Sequence, residues 1–142
     1  MPTNDELLLF DTSAAMAFVD RENIFHTYAK ELAHQRPRGL SGHAQFEFYS
    51  VLTRLPLPKR VDSVDAVRLI NQEFPESRFL PAEHTGALLE EFTHAGITGG
   101  MVYDGIIAAT ARHHGVELVT GDHRAVPVYK SLGVQYLLLP ER

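Results

Sequence analysis

Four carboxylates in this chain fall where a fold of alternating strands and helices would gather them. Asp11 closes the apolar run Leu7-Leu8-Leu9-Phe10, and Asp122 follows the run Glu117-Leu118-Val119-Thr120. Glu47 lies inside a stretch with helical patterning, and Asp104 opens another. Carboxylates about 4 Å apart repel by roughly 4 kcal/mol per pair at an effective dielectric near 20. An empty cluster of that kind strains or takes up protons, and a hard divalent cation removes the conflict. All-oxygen ligation favours Mg2+ or Mn2+ over zinc or copper. Such a cation acidifies bound water and neutralises charge on a phosphate under attack. The chemistry expected is hydrolysis of a phosphodiester, with Asp11, Glu47, Asp104 and Asp122 as both metal ligands and catalytic acids.

Each acid also has a blander reading. Asp11 and Asp122 are both placed to cap the turn that follows a strand. Glu47 lies roughly 60° from the centre of the stripe Ala44, Phe48, Val51, Leu55 at 100° per residue, on the flank of a buried face. Asp104 is harder to set aside. Ile107, Ala108 and Ala111 bracket its helical direction, which puts a charge at the head of a buried stripe. A first-turn acid stabilises a helix by only roughly 0.3 to 1 kcal/mol, a small return for facing the core. Four unrelated caps or surface acids have no cause to meet at one end of a sheet.

The elements that would bring them there follow from the hydrophobic pattern. Short apolar runs predict strands at residues 7–10, near Leu40, at 78–80, at 117–120 and at 134–139. Helices are expected at residues 14–19, 22–35, 43–55, 63–74, 83–95, 103–114 and 123–132. Arg36-Pro37-Arg38-Gly39 and Leu55-Pro56-Leu57-Pro58 break the chain between them, and Gly115 and Gly133 end two of the helices. Strands interleaved with helices give an α/β domain built on a parallel sheet. Asp11 and Asp122 then stand at the carboxyl edge, where open sheets bind ligands.

At 142 residues, 44% hydrophobic and 22% charged, the chain reads as one domain over residues 1–142. It contains no cysteine, which excludes a disulfide framework, a thiolate metal site and a cysteine nucleophile. No apolar run reaches the roughly 18 residues of a membrane span, and the N-terminus has no signal-peptide pattern, so a soluble cytoplasmic protein is expected. A net charge of −5 counts against a module that holds nucleic acid by phosphate neutralisation alone. It counts less against a nuclease whose own carboxylates supply the excess. The eight histidines show no zinc-ligand spacing, although His43 and His123, close in sequence to Glu47 and Asp122, are candidates for substrate contact. No phosphate loop of the Gly-x-x-x-x-Gly-Lys type occurs. A dehalogenase-like phosphatase wants an Asp where Ser13 stands, and a phospho-receiver wants one where the third strand runs Phe79-Leu80-Pro81-Ala82.

Four ordered segments carry a family likeness. They are Leu9-Phe10-Asp11-Thr12-Ser13-Ala14; Glu47 with Val51-Leu52-Thr53-Arg54-Leu55-Pro56; residues 99–111 around Tyr103-Asp104-Gly105; and Leu118-Val119-Thr120-Gly121-Asp122-His123-Arg124-Ala125 with Tyr129. In this order they resemble the PIN-domain ribonucleases, specifically the VapC toxins of toxin–antitoxin pairs. The resemblance implies a five-stranded parallel sheet of order 3-2-1-4-5, flanked by helices. It implies RNA cleavage with Mg2+ or Mn2+ at Asp11, Glu47 and Asp104, and Asp122 as the more variable fourth acid. Thr12, Ser13 and Thr120 become candidate hydroxyls for orienting the acids or the substrate. The partners implied are an RNA substrate, a small VapB-type antitoxin offering an Arg to the carboxylates, and a second copy in a homodimer, alone or within a higher toxin–antitoxin assembly. Phe46, Phe48, Tyr49 and the helices of residues 63–95 are candidates for those contacts. Many PIN domains carry an aromatic three residues after the fourth acid, where this chain has Ala125. The rival reading is a PIN-like RNA-binding or regulatory subunit with the same acids and weak turnover.

Overall fold

Leu8, Leu9 and Phe10 expose no surface, and they form β1 (Leu8–Phe10), a strand paired on both edges. In the computed structural model, which describes residues 6–140, β1 is flanked by β2 (Arg38–Leu40) and β3 (Glu117–Thr120), and β4 (Tyr136–Leu138) pairs with β3. All pairings are parallel and the order is β2-β1-β3-β4. The ends of the expected domain, residues 1–5 and 141–142, lie outside the described residues.

The sheet therefore has four strands, not the five expected. The segment at residues 78–80 makes only one isolated bridge, from Arg78 to Ser41 just past the end of β2. The reason lies in one rung. Glu76 and Arg78 donate their amides to the carbonyls of Arg38 and Leu40, but the Leu40 amide donates to the Ser77 hydroxyl at 2.9 Å. A side chain thus replaces the backbone acceptor that a ladder needs, and Pro81 offers no amide to extend it. The remaining strands keep the expected order, so the chain still crosses from one side of β1 to the other.

Among the described residues seven α-helices flank the sheet, α1 (Thr12–Val19), α2 (His26–Leu32), α3 (Ala44–Arg54), α4 (Ser63–Glu73), α5 (Thr85–Ala95), α6 (Met101–His114) and α7 (Val126–Ser131), and a short 3-10 helix (Ala82–His84) precedes α5. α2 and α7 are shorter than their patterns suggest, because turns occupy the residues before each. Asp20 and Asn23 accept amides two residues on, and Asp122 does the same before α7. Phe10, Phe18, Phe48 and Phe74 form an edge-on aromatic cluster under α1, α3 and α4. α6 ends at Gly115 in the left-handed region, φ 67°, which turns the chain directly into β3. Among the described residues no helix is long and apolar enough to cross a membrane.

Candidate active site

The switch in strand order falls between β1 and β3, and their carboxyl ends open a cleft of about 530 Å3. Asp11, Glu47, Asp104 and Asp122 all line it, from the turn between β1 and α1, from α3, from α6 and from the loop after β3. Thr12 and Ser13 line it too, whereas Thr120 is fully buried behind them. His43 lines the cleft; His123 is exposed and is not among the lining residues.

Asp11 serves as cap and cleft residue at once. Its Oδ1 accepts from the Ala14 amide at 2.9 Å, fixing the N-terminus of α1, and from the Ser13 hydroxyl at 2.6 Å. Its Oδ2 accepts from the Tyr129 hydroxyl at 2.8 Å. Burial raises the Asp11 pKa, and the donors from Ser13, Thr120, Ala14 and Tyr129 pull against that rise. The side chain is 3% exposed, so its direction is set by these bonds and not by solvent.

The other acids are held less tightly. Thr12 donates to Glu47 Oε1 at 2.9 Å, tying the start of α1 to the first turn of α3, and His43 Nε2 lies 3.9 Å from Glu47 Oε2. Ser13 accepts the Gly121 amide at 2.8 Å and Thr120 accepts the Asp122 amide at 3.0 Å, which shapes the loop carrying Asp122. Asp104 is half-buried in the first turn of α6 and accepts no side-chain hydrogen bond among the described residues. Its pKa is raised to about 6, first by burial and then by the charges of Asp11, Asp122 and Glu47, against a small opposing effect of Arg124.

The donor set fits a hard cation in chemical type: four carboxylates and hydroxyls, with no thiolate. Among the described residues no three acidic or histidine side chains are spaced to grip an ion directly. Mg2+ is commonly held through one or two carboxylates and several waters, which such spacing permits. Asp11 is already met by four donors, whereas Asp104 accepts no side-chain hydrogen bond among the described residues and keeps its acceptor capacity.

Tyr129, quoted above only as part of the fourth segment, has a place at the site that the sequence reading does not assign. Its signal is present in the sequence, since a tyrosine between Val128 and Leu132 in an apolar stretch needs a partner for its hydroxyl once buried. That partner is Asp11, whose negative charge together with burial raises the Tyr129 pKa. Tyr129→Phe is expected to lower stability by about 1 to 3 kcal/mol, the cost of stranding a buried acceptor. Urea denaturation of the two proteins measures it. An unchanged midpoint would mean the Tyr129–Asp11 bond contributes nothing net.

Known proteins resemble the chain along most of its length. The family model described as PIN domain matches residues 8–130. Ribonuclease VapC27 of Mycobacterium tuberculosis (strain ATCC 25618 / H37Rv) is 37% identical over 131 residues, 92% of this chain and 96% of the relative. Ribonuclease VapC40 of Mycobacterium tuberculosis (strain CDC 1551 / Oshkosh) is 37% identical over 102 residues, 70% of this chain and 75% of the relative. Among solved structures, FitAcB from Neisseria gonorrhoeae superposes with a TM-score of 0.66 at 20% identity, covering 92% of this chain and 96% of that one. PAE2754 from Pyrobaculum aerophilum gives a TM-score of 0.58 at 24% identity, covering 92% and 90%. The two structures speak to the fold alone.

Proposed function

The chain belongs to the PIN domain family, among the VapC ribonucleases, and from that membership we propose that it is a toxin endoribonuclease that hydrolyses RNA at the four-carboxylate cleft. The observation that carries the reading is Asp104: a half-buried carboxylate without a donor, facing three others that push its pKa up. A charge kept in that position without a partner needs a ligand to compensate it. Asp11, Glu47 and Asp104 would hold Mg2+ or Mn2+, with Asp122 alongside. When bound, the cation supplies an acidified water and neutralises charge on the phosphate. The chain's own part is to keep the acids in place. Tyr129, Ser13 and the Ala14 amide fix Asp11, Thr12 fixes Glu47, and Thr120 and Ser13 shape the loop of Asp122.

The partner proposed is a VapB-type antitoxin whose Arg would set a positive charge against the same carboxylates, replacing the cation. A homodimer is the proposed assembly. Of the aromatic residues considered for such contacts, Phe48 is wholly buried in the core and is withdrawn, whereas Phe46, 66% exposed, and Tyr49 remain at the surface.

The test is RNA cleavage by the purified chain with Mn2+ or Mg2+, its arrest by a chelator, and sequencing of the new ends. Melting curves add a measurement independent of turnover. Mn2+ is expected to raise the midpoint at pH 7.5 and to raise it less at pH 5, where Asp104 holds a proton that the ion must displace. Chelator-resistant cleavage together with a flat midpoint would overturn the metal reading. An RNA left intact despite a clear Mn2+ shift would favour the regulatory-subunit rival.

A further inference from the structure

The imidazole of His43 and the phenol of Tyr103 lie stacked, ring centroids 5.0 Å apart and planes 18° from parallel. His43 is the residue before α3 and Tyr103 is in the first turn of α6, so the pair spans the ends of the two helices that carry Glu47 and Asp104. His43 lines the cleft, and Tyr103 is 49% exposed. The Tyr103 hydroxyl makes no hydrogen bond among the described residues. Tyr103 is not itself a lining residue, but it precedes Asp104, which is one, and it stacks on His43, which is another, so its exposed ring is joined to the cleft through both.

The charge balance of the cleft gives that open surface a use. Its lining carries four carboxylates, one guanidinium, Arg54, and one imidazole, His43. Phosphate attraction, the usual source of affinity for nucleic acid, is therefore weak at this site even with a cation bound. Stacking of a base on an aromatic ring does not depend on net charge, and every base has a face to offer. We propose that the His43–Tyr103 pair is a stacking subsite for an unpaired RNA base beside the cleaved phosphodiester. It rests on the ribonuclease reading and adds which side chains would take a base; a duplex keeps its base faces covered and could not use them.

The chain has no tryptophan, so Tyr103→Trp places a single reporter at the subsite. Mixing this variant with a short single-stranded RNA and Mn2+ in a stopped-flow instrument should quench indole fluorescence before product forms. The same RNA annealed to its complement should not quench it. In steady-state cleavage, Tyr103→Leu should raise KM by roughly 5- to 150-fold, the loss of one base–aromatic stack, with kcat little changed. Tyr103→Phe should stay near the parent, because only the ring is needed. Equal KM for the Leu, Phe and parent proteins, absence of quenching, or equal quenching by duplex would each overturn the subsite while leaving the nuclease standing. Failure of the parent chain to cleave any RNA would overturn the reading beneath it, and this one with it.

Discussion

Asp104→Asn should leave a folded protein that no longer cleaves RNA. Among the four acids this one accepts no side-chain hydrogen bond from the described residues, so its function cannot be to anchor the backbone. On the cation-binding role proposed for Asp104, its loss forfeits several kcal/mol of transition-state stabilisation, on the order of 100- to 10,000-fold in rate. Stability should move the other way. The Asp104 pKa is about 6 in the fold against an ordinary value of 3.8, so the folded state favours the protonated acid. Its contribution is fully present below pH 3.8 and is lost as pH rises through about 6. An uncharged Asn escapes that loss. In chelator, the variant should therefore match the parent near pH 4 and melt above it at pH 7.5. Parent-level cleavage would exclude Asp104 as the cation's ligand, and a variant less stable at pH 7.5 would show that the neighbouring carboxylates do not strain it.

Asp11 is the contrasting case, because function and framework share one side chain. It caps α1, takes the Ser13 and Tyr129 hydroxyls, and still lines the cleft. Of the two roles that its sequence context poses, the cap is visible in the Ala14 amide bond, and the ligand role belongs to the proposal above. The same bonds that fix the start of α1 fix the carboxylate.

What can be read from the sequence is what periodicity encodes. Continuous apolar runs place β1 and β3, and the acids at their ends follow from the geometry of parallel sheets. The offset of Glu47 from its apolar stripe places it on the flank of α3, and there it meets Thr12. The failures share a cause: they depend on partners distant in sequence. Nothing in Arg78-Phe79-Leu80 announces that the Ser77 hydroxyl will take the Leu40 amide and reduce a strand to a bridge. No local pattern joins His43 to Tyr103, or Tyr129 to Asp11. Thr120, a candidate hydroxyl for acids or substrate, is buried one layer deeper, where it bonds the Asp122 amide and Asp11, so its place beside the acids is legible and its depth is not.

Gly39→Ala should be strongly destabilising, with closer contacts to the added carbon than at any other glycine compared, and it lies in neither the cleft nor a tight turn. Gly39 is the middle residue of β2, opposite Leu9, and a Cβ there would overlap the backbone of Glu76 and Ser77. Flexible side chains can step aside; these atoms cannot, because Glu76 and Arg78 are bonded to Arg38 and Leu40 on either side. Overpacking typically costs about 1 to 3 kcal/mol. A clash with paired backbone belongs at or above the top of that range, a large part of the roughly 5 to 15 kcal/mol that holds a domain together. Relief would require β2 to part from the 76–78 segment. Ser41 and Gly42, which follow β2, lead directly into α3, so the same movement would carry Glu47 away from Asp11. Cleavage should fall even under conditions where the variant is folded. Gly86→Ala supplies the control: it sits in α5 with nothing within 4 Å of the added carbon, and should gain about 0.5 to 1 kcal/mol from helix propensity. Urea midpoints moving in opposite directions for the two substitutions would locate the sensitivity in the β2 contact. Equal midpoints would show that β2 and the 76–78 segment are looser than their hydrogen bonds imply.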